Sequence, residues 1–190
     1  MFALDPRLQN DTLPIGEFPL CRLLLSNDSN YLWLILVPRI AGISEVFQLD
    51  AGDQSRLWHE TTTLAQLLND GFGADKMNIG ALGNVVNQLH VHVIVRKRDD
   101  AAWPAPVWGR HPAVPYSDDQ VALIRARLRE LMPPEFTFAQ DGTMDMQDRV
   151  MDLESRLAFQ DDTIETLNDI LVAQQRAVER LQLQMTALLK

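Results

Sequence analysis

The last quarter of the chain constrains its fold more than any other stretch, because apolar residues recur there at a seven-residue period. From residue 146 onward the steps alternate between three and four residues for six heptads, and no Pro or Gly occurs after Gly142. The apolar members of the series are Met146, Val150, Leu153, Leu157, Ile164, Leu167, Leu171, Val178, Leu181, Met185 and Leu188. A period of about 3.5 residues that is held over this length is typical of a left-handed coiled coil.

Two glutamines, Gln160 and Gln174, are the polar members of the series. At such positions a polar side chain costs stability but helps to fix the register of the strands. The alternative interpretation is one amphipathic helix that folds back on the rest of the chain. A packed helix drifts at a period of 3.6 and rarely exceeds about 25 residues, so the pattern favours a long C-terminal helix that self-associates.

The stretch that precedes this helix contains Pro133, Pro134 and Gly142. Its apolar residues follow neither the 3.5-residue period of a coiled coil nor the 3.6-residue period of a packed helix. It separates the helix from a sequence of a different kind. We therefore predict three parts, namely a first domain over residues 1–133, a linker over 134–145 and a coiled-coil helix over 146–190. The chain of 190 residues is long enough for one domain with such an extension.

Charge and cysteine content narrow the classes of partner. The net charge is −9, and residues 134–190 hold 11 of the 26 acids but 5 of the 17 bases. This balance disfavours nucleic acid as a partner, because phosphate binding needs an excess of positive charge. The single cysteine, Cys21, excludes an intramolecular disulfide, and no apolar run reaches about 18 residues. We expect a soluble cytoplasmic protein without a membrane partner.

The first domain carries the signals of an α+β fold. Apolar runs predict strands over residues 20–26, 31–39, 76–84 and 88–98, and the second of these is apolar on both faces and therefore central. Helical spacing predicts helices over 51–70 and 117–132. The first 20 residues are predicted to be mostly loop, because they contain the breakers Pro6, Pro14, Gly16 and Pro19.

Two histidines stand two residues apart in the stretch "QLHVHVIV". Side chains alternate along a strand, so His90 and His92 point to the same face. Three interpretations are open: a shared metal site, a structural pair in the core, and nucleophilic catalysis by one imidazole. The metal interpretation lacks a third clustered ligand, since the remaining histidines, His59 and His111, are distant in sequence. We expect His59 to be a surface or packing residue and His111 to face solvent.

The stretch "NIGALGNVVNQLHVHVIVR" resembles the signature of the histidine-triad (HIT) family of nucleotide-binding proteins. That signature is an Asn-x-Gly approach followed by a strand of the form His-apolar-His-apolar-His. Asn78, Gly80, Gly83 and Asn84 fit the approach, and Gln88, His90 and His92 fall on the three histidine positions. The resemblance covers roughly residues 10–132 and implies an antiparallel sheet with two main helices.

The resemblance also implies a chemistry. His90 would attack the α-phosphorus of a nucleoside phosphate ester, anhydride or phosphoramidate and form a nucleotidyl-histidine, which water then hydrolyses. His92 would contact the phosphate and the leaving group. In its protonated form it would stabilise developing charge or give its proton away. Asn84 and Gly83 would lie at the phosphate, and Asn27 and Asp28 at the nucleoside. Neither a metal nor another cofactor is implied.

The sequence departs from the family pattern at two positions. Gln88 replaces the first histidine, and its amide has both a donor and an acceptor with which to orient the His90 ring. Trp33 stands on the central strand where many members carry a histidine. Three roles are open for Trp103 and Trp108, in the proline-rich stretch after the histidines: they cover the nucleotide pocket, cover the dimer interface of the domain, or anchor their loop. The charged segment 96–100 is predicted to be a solvated strand end.

The tail resembles the SlyX family of small bacterial coiled-coil proteins, most closely in "LESRLAFQDDTIETLN". The resemblance implies oligomerisation and no enzymatic activity. HIT domains themselves pair through their sheets, so a coiled coil would reinforce such a dimer or link two dimers. Two functions remain open from the sequence: a nucleotidyl hydrolase or transferase, and a nucleotide-binding scaffold with little turnover.

Overall fold

Six antiparallel strands form one sheet within residues 2–139. The computed structural model of the protein describes these residues together with 164, 168, 170–172 and 174–176. The strands are β1 (Thr12–Glu17), β2 (Cys21–Ser26), β3 (Leu32–Pro38), β4 (Lys76–Gly80), β5 (Val91–Arg96) and β6 (Thr137–Phe138). Their order across the sheet is β4-β5-β3-β2-β1-β6, so β3 lies in its interior, as its two apolar faces predict.

Two long helices accompany the sheet, as predicted. The helix α2 (Ala51–Phe72) is capped by the Asp50 carboxylate, which accepts a hydrogen bond from the Asp53 N–H, and it ends at Gly73 in a left-handed conformation. The helix α3 (Asp118–Leu131) begins with a capping box formed by Ser117 and Gln120. A single 3-10 turn, Val46–Gln48, precedes α2.

The prediction that the first 20 residues are loop is wrong. They contain a short helix, α1 (Pro6–Asp11), and the strand β1. Pro6 occupies the first turn of α1, where its missing N–H costs nothing. Pro14 lies beside a bulge in β1, at a point where β6 does not pair. The breaker residues therefore occupy the few positions where a helix or a strand tolerates them.

Gly16 is required by the pairing of β1 with β6. A Cβ atom at this position would lie 2.3 Å from the Thr137 carbonyl oxygen and 2.6 Å from the Phe136 ring. The strand β6 lies within residues 134–145, the range predicted to be a linker. The first unit of the chain therefore continues past residue 133.

The two faces of the sheet carry different partners. On one face, α2 and α3 pack against the sheet through a leucine-rich core. This core includes Leu23, Leu25, Leu34, Leu36, Leu57, Leu64, Leu68, Val91, Val93 and Leu128. On the other face, Leu8 of α1 packs with Leu24, Ile35 and Val37. This second face carries the histidines.

Cys21 is fully buried in the leucine-rich core. Burial raises the pKa of its thiol, and the nearby Glu60 carboxylate raises it further. The side chain therefore stays a neutral thiol and behaves as a small buried hydrophobe, as the sequence suggests.

The chain divides into two units, Met1–Gln140 and Asp141–Lys190. The eight described residues of the second unit are helical, and the rest of the predicted coiled coil lies outside the described residues. In the part of the chain that the structure describes, none of the helices has the length and hydropathy that a membrane span requires.

Candidate active site

The histidine pair lies where β5 begins. His92 is the second residue of β5, opposite Ile35 of β3 and Gly80 of β4, and His90 immediately precedes the strand. The centroids of the two rings are 4.8 Å apart and their planes are nearly perpendicular, at 83°. Both residues are buried, with 6% of His90 and 7% of His92 exposed. The rings are neighbours on one face, as the alternation of a strand predicts.

The hydrogen bond of His90 defines which of its nitrogens is free. Its Nδ1 lies 2.6 Å from the main-chain carbonyl oxygen of Gln88. A carbonyl only accepts, so Nδ1 carries the proton and donates it. In the neutral ring, Nε2 therefore has a free lone pair, which is what a nucleophilic imidazole needs.

The hydrogen bond of His92 defines the opposite arrangement. Its Nδ1 lies 2.9 Å from the indole Nε1 of Trp33, which only donates. Nδ1 is therefore the acceptor, and the proton of the neutral ring is on Nε2. Burial lowers the pKa of His92 to about 3, with a smaller contribution from the neighbouring His90. The ring is therefore neutral near pH 7 in the free site, and the charge stabilisation that the resemblance gives to a protonated His92 stays a prediction.

Gln88 does not orient His90 through its side chain, and that prediction is wrong. Its amide oxygen accepts a hydrogen bond from the main-chain N–H of Asp5, and its amide nitrogen donates one to the carbonyl of Ala3. Each of these hydrogen bonds is 2.8 Å long. The amide thus holds the N-terminal segment beside the site. The orienting group for His90 is the main-chain carbonyl of Gln88, which any residue at this position supplies.

Asn27 and Asp28 fasten a loop to a distant segment. The Asp28 carboxylate accepts hydrogen bonds from the main-chain and side-chain nitrogens of Asn30 and from the N–H of Val114. The Asn27 side chain accepts one from the N–H of Tyr116. Both residues follow β2, at the end of the sheet where β5 finishes, whereas His90 lies where β5 begins. Their predicted contact with a nucleoside stays a prediction.

Gly83 and Asn84 lie in the segment that connects β4 to the histidines. Gly83 has a φ of +67°, the left-handed region that favours glycine. Asn84 is exposed. This position leaves the Asn84 amide accessible to a ligand, and its predicted contact with a phosphate stays a prediction.

Two tryptophans line the other side of His92. The Trp33 and Trp108 ring centroids lie 5.3 Å and 5.6 Å from that of His92, and 5.9 Å from each other. Trp108 reaches this place because Gly80 has no side chain, and a Cβ there would lie 3.3 Å from the Trp108 ring. Among the roles that the sequence leaves open for Trp108, its contact with His92 supports the one in which it covers the site.

A buried ion pair holds the loop that carries Trp108. Arg96, only 1% exposed, pairs with Asp100 over 2.7 Å and also donates to the Asn78 side chain and the Ala105 carbonyl. The prediction of a solvated strand end is therefore wrong at Arg96. The Arg96 guanidinium also lies over the Trp103 ring, 5.6 Å from the centroid of that ring. The alternation of β5 contained no signal for this role, because charged residues at a strand end usually face water.

The remaining histidines are not part of the site. His59 lies on the exposed side of α2 and His111 in the exposed part of the 101–116 segment, as predicted. Within the described residues, no three His, Cys, Asp or Glu side chains are grouped so that they could hold a metal ion.

Comparisons with known proteins agree with this geometry. The HIT domain family matches residues 7–99, and the SlyX family matches residues 146–190. A solved histidine triad protein from Sinorhizobium meliloti 1021 is 48% identical, with 70% of this chain and 98% of that protein covered and a TM-score of 0.68. Another, from Marinobacter aquaeolei VT8, is 50% identical over 69% of this chain and 96% of that protein, with a TM-score of 0.68.

The tail has relatives of its own. A SlyX homolog from Pseudomonas fluorescens (strain SBW25) is 94% identical over 47 residues, which make up 25% of this chain and 69% of that protein. The sheet and the paired histidines define a histidine triad protein. The chain belongs to the HIT family, and its C-terminal segment, residues 146–190, belongs to the SlyX family.

Proposed function

We propose that this protein is a nucleotidyl hydrolase or transferase that acts on the α-phosphate of nucleoside phosphate esters, anhydrides or phosphoramidates. The observation that carries the proposal is the hydrogen bond from His90 Nδ1 to the Gln88 carbonyl. It leaves the Nε2 lone pair free for attack on phosphorus. The product of that attack is a nucleotidyl-histidine, and hydrolysis releases the nucleoside monophosphate.

The neighbouring residues take supporting roles in the proposal. His92 presents its Nε2–H to a phosphate oxygen or to the leaving group, as a preorganised hydrogen-bond donor in a buried site. Asn84 and the Gly83 turn approach the phosphate. Asn27 and Asp28 would meet the nucleoside only if it extends to the end of the sheet where β5 finishes and exchanges their present hydrogen bonds. The proposal invokes no metal and no cofactor. It places the reaction in the cytoplasm, in keeping with the single cysteine.

The test is the release of AMP from a diadenosine polyphosphate by the full-length protein. His90→Asn keeps a polar side chain but removes the nucleophile, so we expect turnover to fall at least ~100-fold. His59→Asn is the matched control, because His59 is an exposed histidine on α2. Equal AMP release by the wild type and His90→Asn would contradict the proposal.

The second candidate function is a nucleotide-binding scaffold with little turnover. The burial of both histidine rings favours the scaffold. His90 is only 6% exposed, so it reaches the phosphorus only if the substrate displaces the residues that bury the ring. Calorimetric titration with AMP distinguishes the two. A scaffold binds AMP without releasing it from a larger nucleotide, and it binds equally well with His90→Asn.

We also propose a homo-oligomer, a dimer or a tetramer, formed through both units. The first unit ends its sheet at β4, whose outer edge no other described strand covers. The exposed residues Val46 and Trp58 line a groove of about 290 Å³ along that edge, and such apolar exposure is typical of an interface. In the tail, Ile164 and Leu171 are one heptad apart. In the single chain, Ile164 is 55% exposed and Leu171 is 61% exposed. A coiled-coil partner would cover both.

A further inference from the structure

The hydrogen bond between Trp33 and His92 restricts the chemistry that His92 can perform. An indole N–H is a donor and never an acceptor, so it requires a lone pair on His92 Nδ1. Protonation of His92 would place a second N–H against the indole N–H at 2.9 Å and break the bond. The neutral ring, with its proton on Nε2, is the one form that keeps this contact.

The other surroundings of His92 favour the same form. Trp33 on β3, Trp108 on the following loop and Gly80 on β4 are all uncharged. The titratable group that faces His92 is His90, at 4.8 Å between ring centroids, and a second positive charge beside it is unfavourable. No carboxylate contacts the His92 ring among the described residues, so the protein itself places no negative charge beside the ring to stabilise an imidazolium.

A neutral imidazole donates a hydrogen bond, but it is a poor acid near pH 7. Leaving groups differ in whether they need a proton from His92 as they depart. The leaving group of a phosphoanhydride is a phosphate, which is stable as an anion. The leaving group of a phosphoramidate is an amine, which must take up a proton as the P–N bond breaks.

We infer that Trp33 is a positioning residue that keeps His92 in the neutral Nε2–H form, and that the site therefore prefers phosphoanhydrides to phosphoramidates. The substrate preference rests on the proposed function, whereas the form of His92 does not. Neither residue was expected to act in this way from the sequence, where Trp33 counted only as a departure from the family pattern.

The steps balance without a proton from His92. The Nε2 lone pair of His90 forms a bond to the α-phosphorus, and the bond to the bridging oxygen breaks with its electron pair on the departing phosphate. The His90 ring then carries one positive charge, and Nδ1–H still donates to the Gln88 carbonyl. Water attacks the same phosphorus, the P–N pair returns to Nε2, and the proton of the water passes to solvent.

The form of His92 is tested by nitrogen NMR of the full-length protein with labelled histidine. We expect the His92 signals to show a protonated Nε2 and an unprotonated Nδ1, unchanged between about pH 8 and pH 5. Trp33→Phe keeps an aromatic ring but removes the donor, so we expect mixed tautomers or titration in this range. Trp103→Phe, which changes a tryptophan that contacts Arg96, is the matched control. A proton on Nδ1, or a charged ring at pH 7 in the wild type, overturns the inference.

The substrate preference is tested with two compounds that carry the same adenylyl group, a diadenosine polyphosphate and an adenosine phosphoramidate. We expect kcat/KM for the anhydride to be higher by ~100-fold or more, the usual size of a missing general acid. Trp33→His removes the indole donor and should narrow this ratio. Equal rates, or faster cleavage of the phosphoramidate, overturn the preference while leaving the proposed function intact. Cleavage of neither compound overturns both the proposed function and the preference, and the NMR result still decides the role of Trp33.

Discussion

Gln88 connects the histidine site to the first residues of the chain through both ends of its amide. Gln88→Ala removes two hydrogen bonds to the N-terminal segment, but it keeps the main-chain carbonyl that orients His90. We therefore expect a loss of ~1–2 kcal/mol in the free energy of unfolding. We expect kcat to stay within about threefold of the wild type, because the interaction that positions the nucleophile is intact.

Urea unfolding and AMP release measure the two effects separately. Gln66→Ala is the control, since the Gln66 side chain donates to Asp70 on the exposed surface of α2. If Gln88→Ala lowers kcat as far as His90→Asn does, the side chain has a catalytic role that its contacts do not explain.

At this scale, the sequence indicates which residues meet within one strand and little about contacts between distant ones. His90 and His92 are predictable neighbours because the period of a strand is two. The partners of Gln88 lie 83 and 85 residues away, and Trp33 is 59 residues from His92. No local pattern encodes such pairs, so the role assigned to the Gln88 amide was wrong and that of Trp33 was missed.

Among the elements, α2 is joined to the sheet by a buried carboxylate. Both oxygens of Glu60 accept main-chain hydrogen bonds, from Leu20 over 2.8 Å and from Cys21 over 2.9 Å, where β2 begins. Glu60→Leu leaves two buried N–H groups without partners, and each costs about 1–3 kcal/mol. We therefore expect the free energy of unfolding to fall by ~2–6 kcal/mol.

The measurement is urea unfolding, followed by circular dichroism. Glu130→Leu is the control, because Glu130 pairs with Arg127 on the surface of α3, and such pairs contribute little. A loss for Glu60→Leu no larger than that of the control would show that α2 does not need this contact.

The elements that the sequence predicted are those with strong local signals. Caps and helical spacing identify α2 and α3, and apolar runs identify β2 and β3. The helix α1 and the strand β1 were missed because Pro6, Pro14 and Gly16 usually break such elements. The two-residue strand β6 has no pattern of its own, and it exists because β1 offers a free edge that Gly16 leaves open.

At the scale of the whole molecule, the first unit is a complete HIT fold. The solved histidine triad proteins from S. meliloti and M. aquaeolei are covered over 98% and 96% of their length by about 70% of this chain. The fold of the first unit therefore does not require the SlyX segment. What the segment adds is a series of apolar residues at a seven-residue period, whose seam positions Ile164 and Leu171 are exposed in the single chain.

If the tail associates as proposed, charge on that seam should weaken the oligomer. In the variant with Ile164→Asp and Leu171→Asp, each strand would have to bury two carboxylates without partners. We expect the concentration at which the particle dissociates to rise at least ~10-fold, a change of about 1.4 kcal/mol. Truncation after residue 141 should raise the dissociation concentration at least as far. The edge of β4 would then be the remaining proposed contact between chains.

Sedimentation equilibrium over a dilution series measures this concentration. The control adds the same charge at two c positions of the heptad, outside the seam and its flanks, with Thr166→Asp and Ala173→Asp. AMP release, measured in the same samples, reports whether the first unit works without the coil. If the number of chains per particle and the dissociation concentration stay the same in the seam variant and the truncation, the tail does not set the oligomer. Its apolar series would then need a different partner.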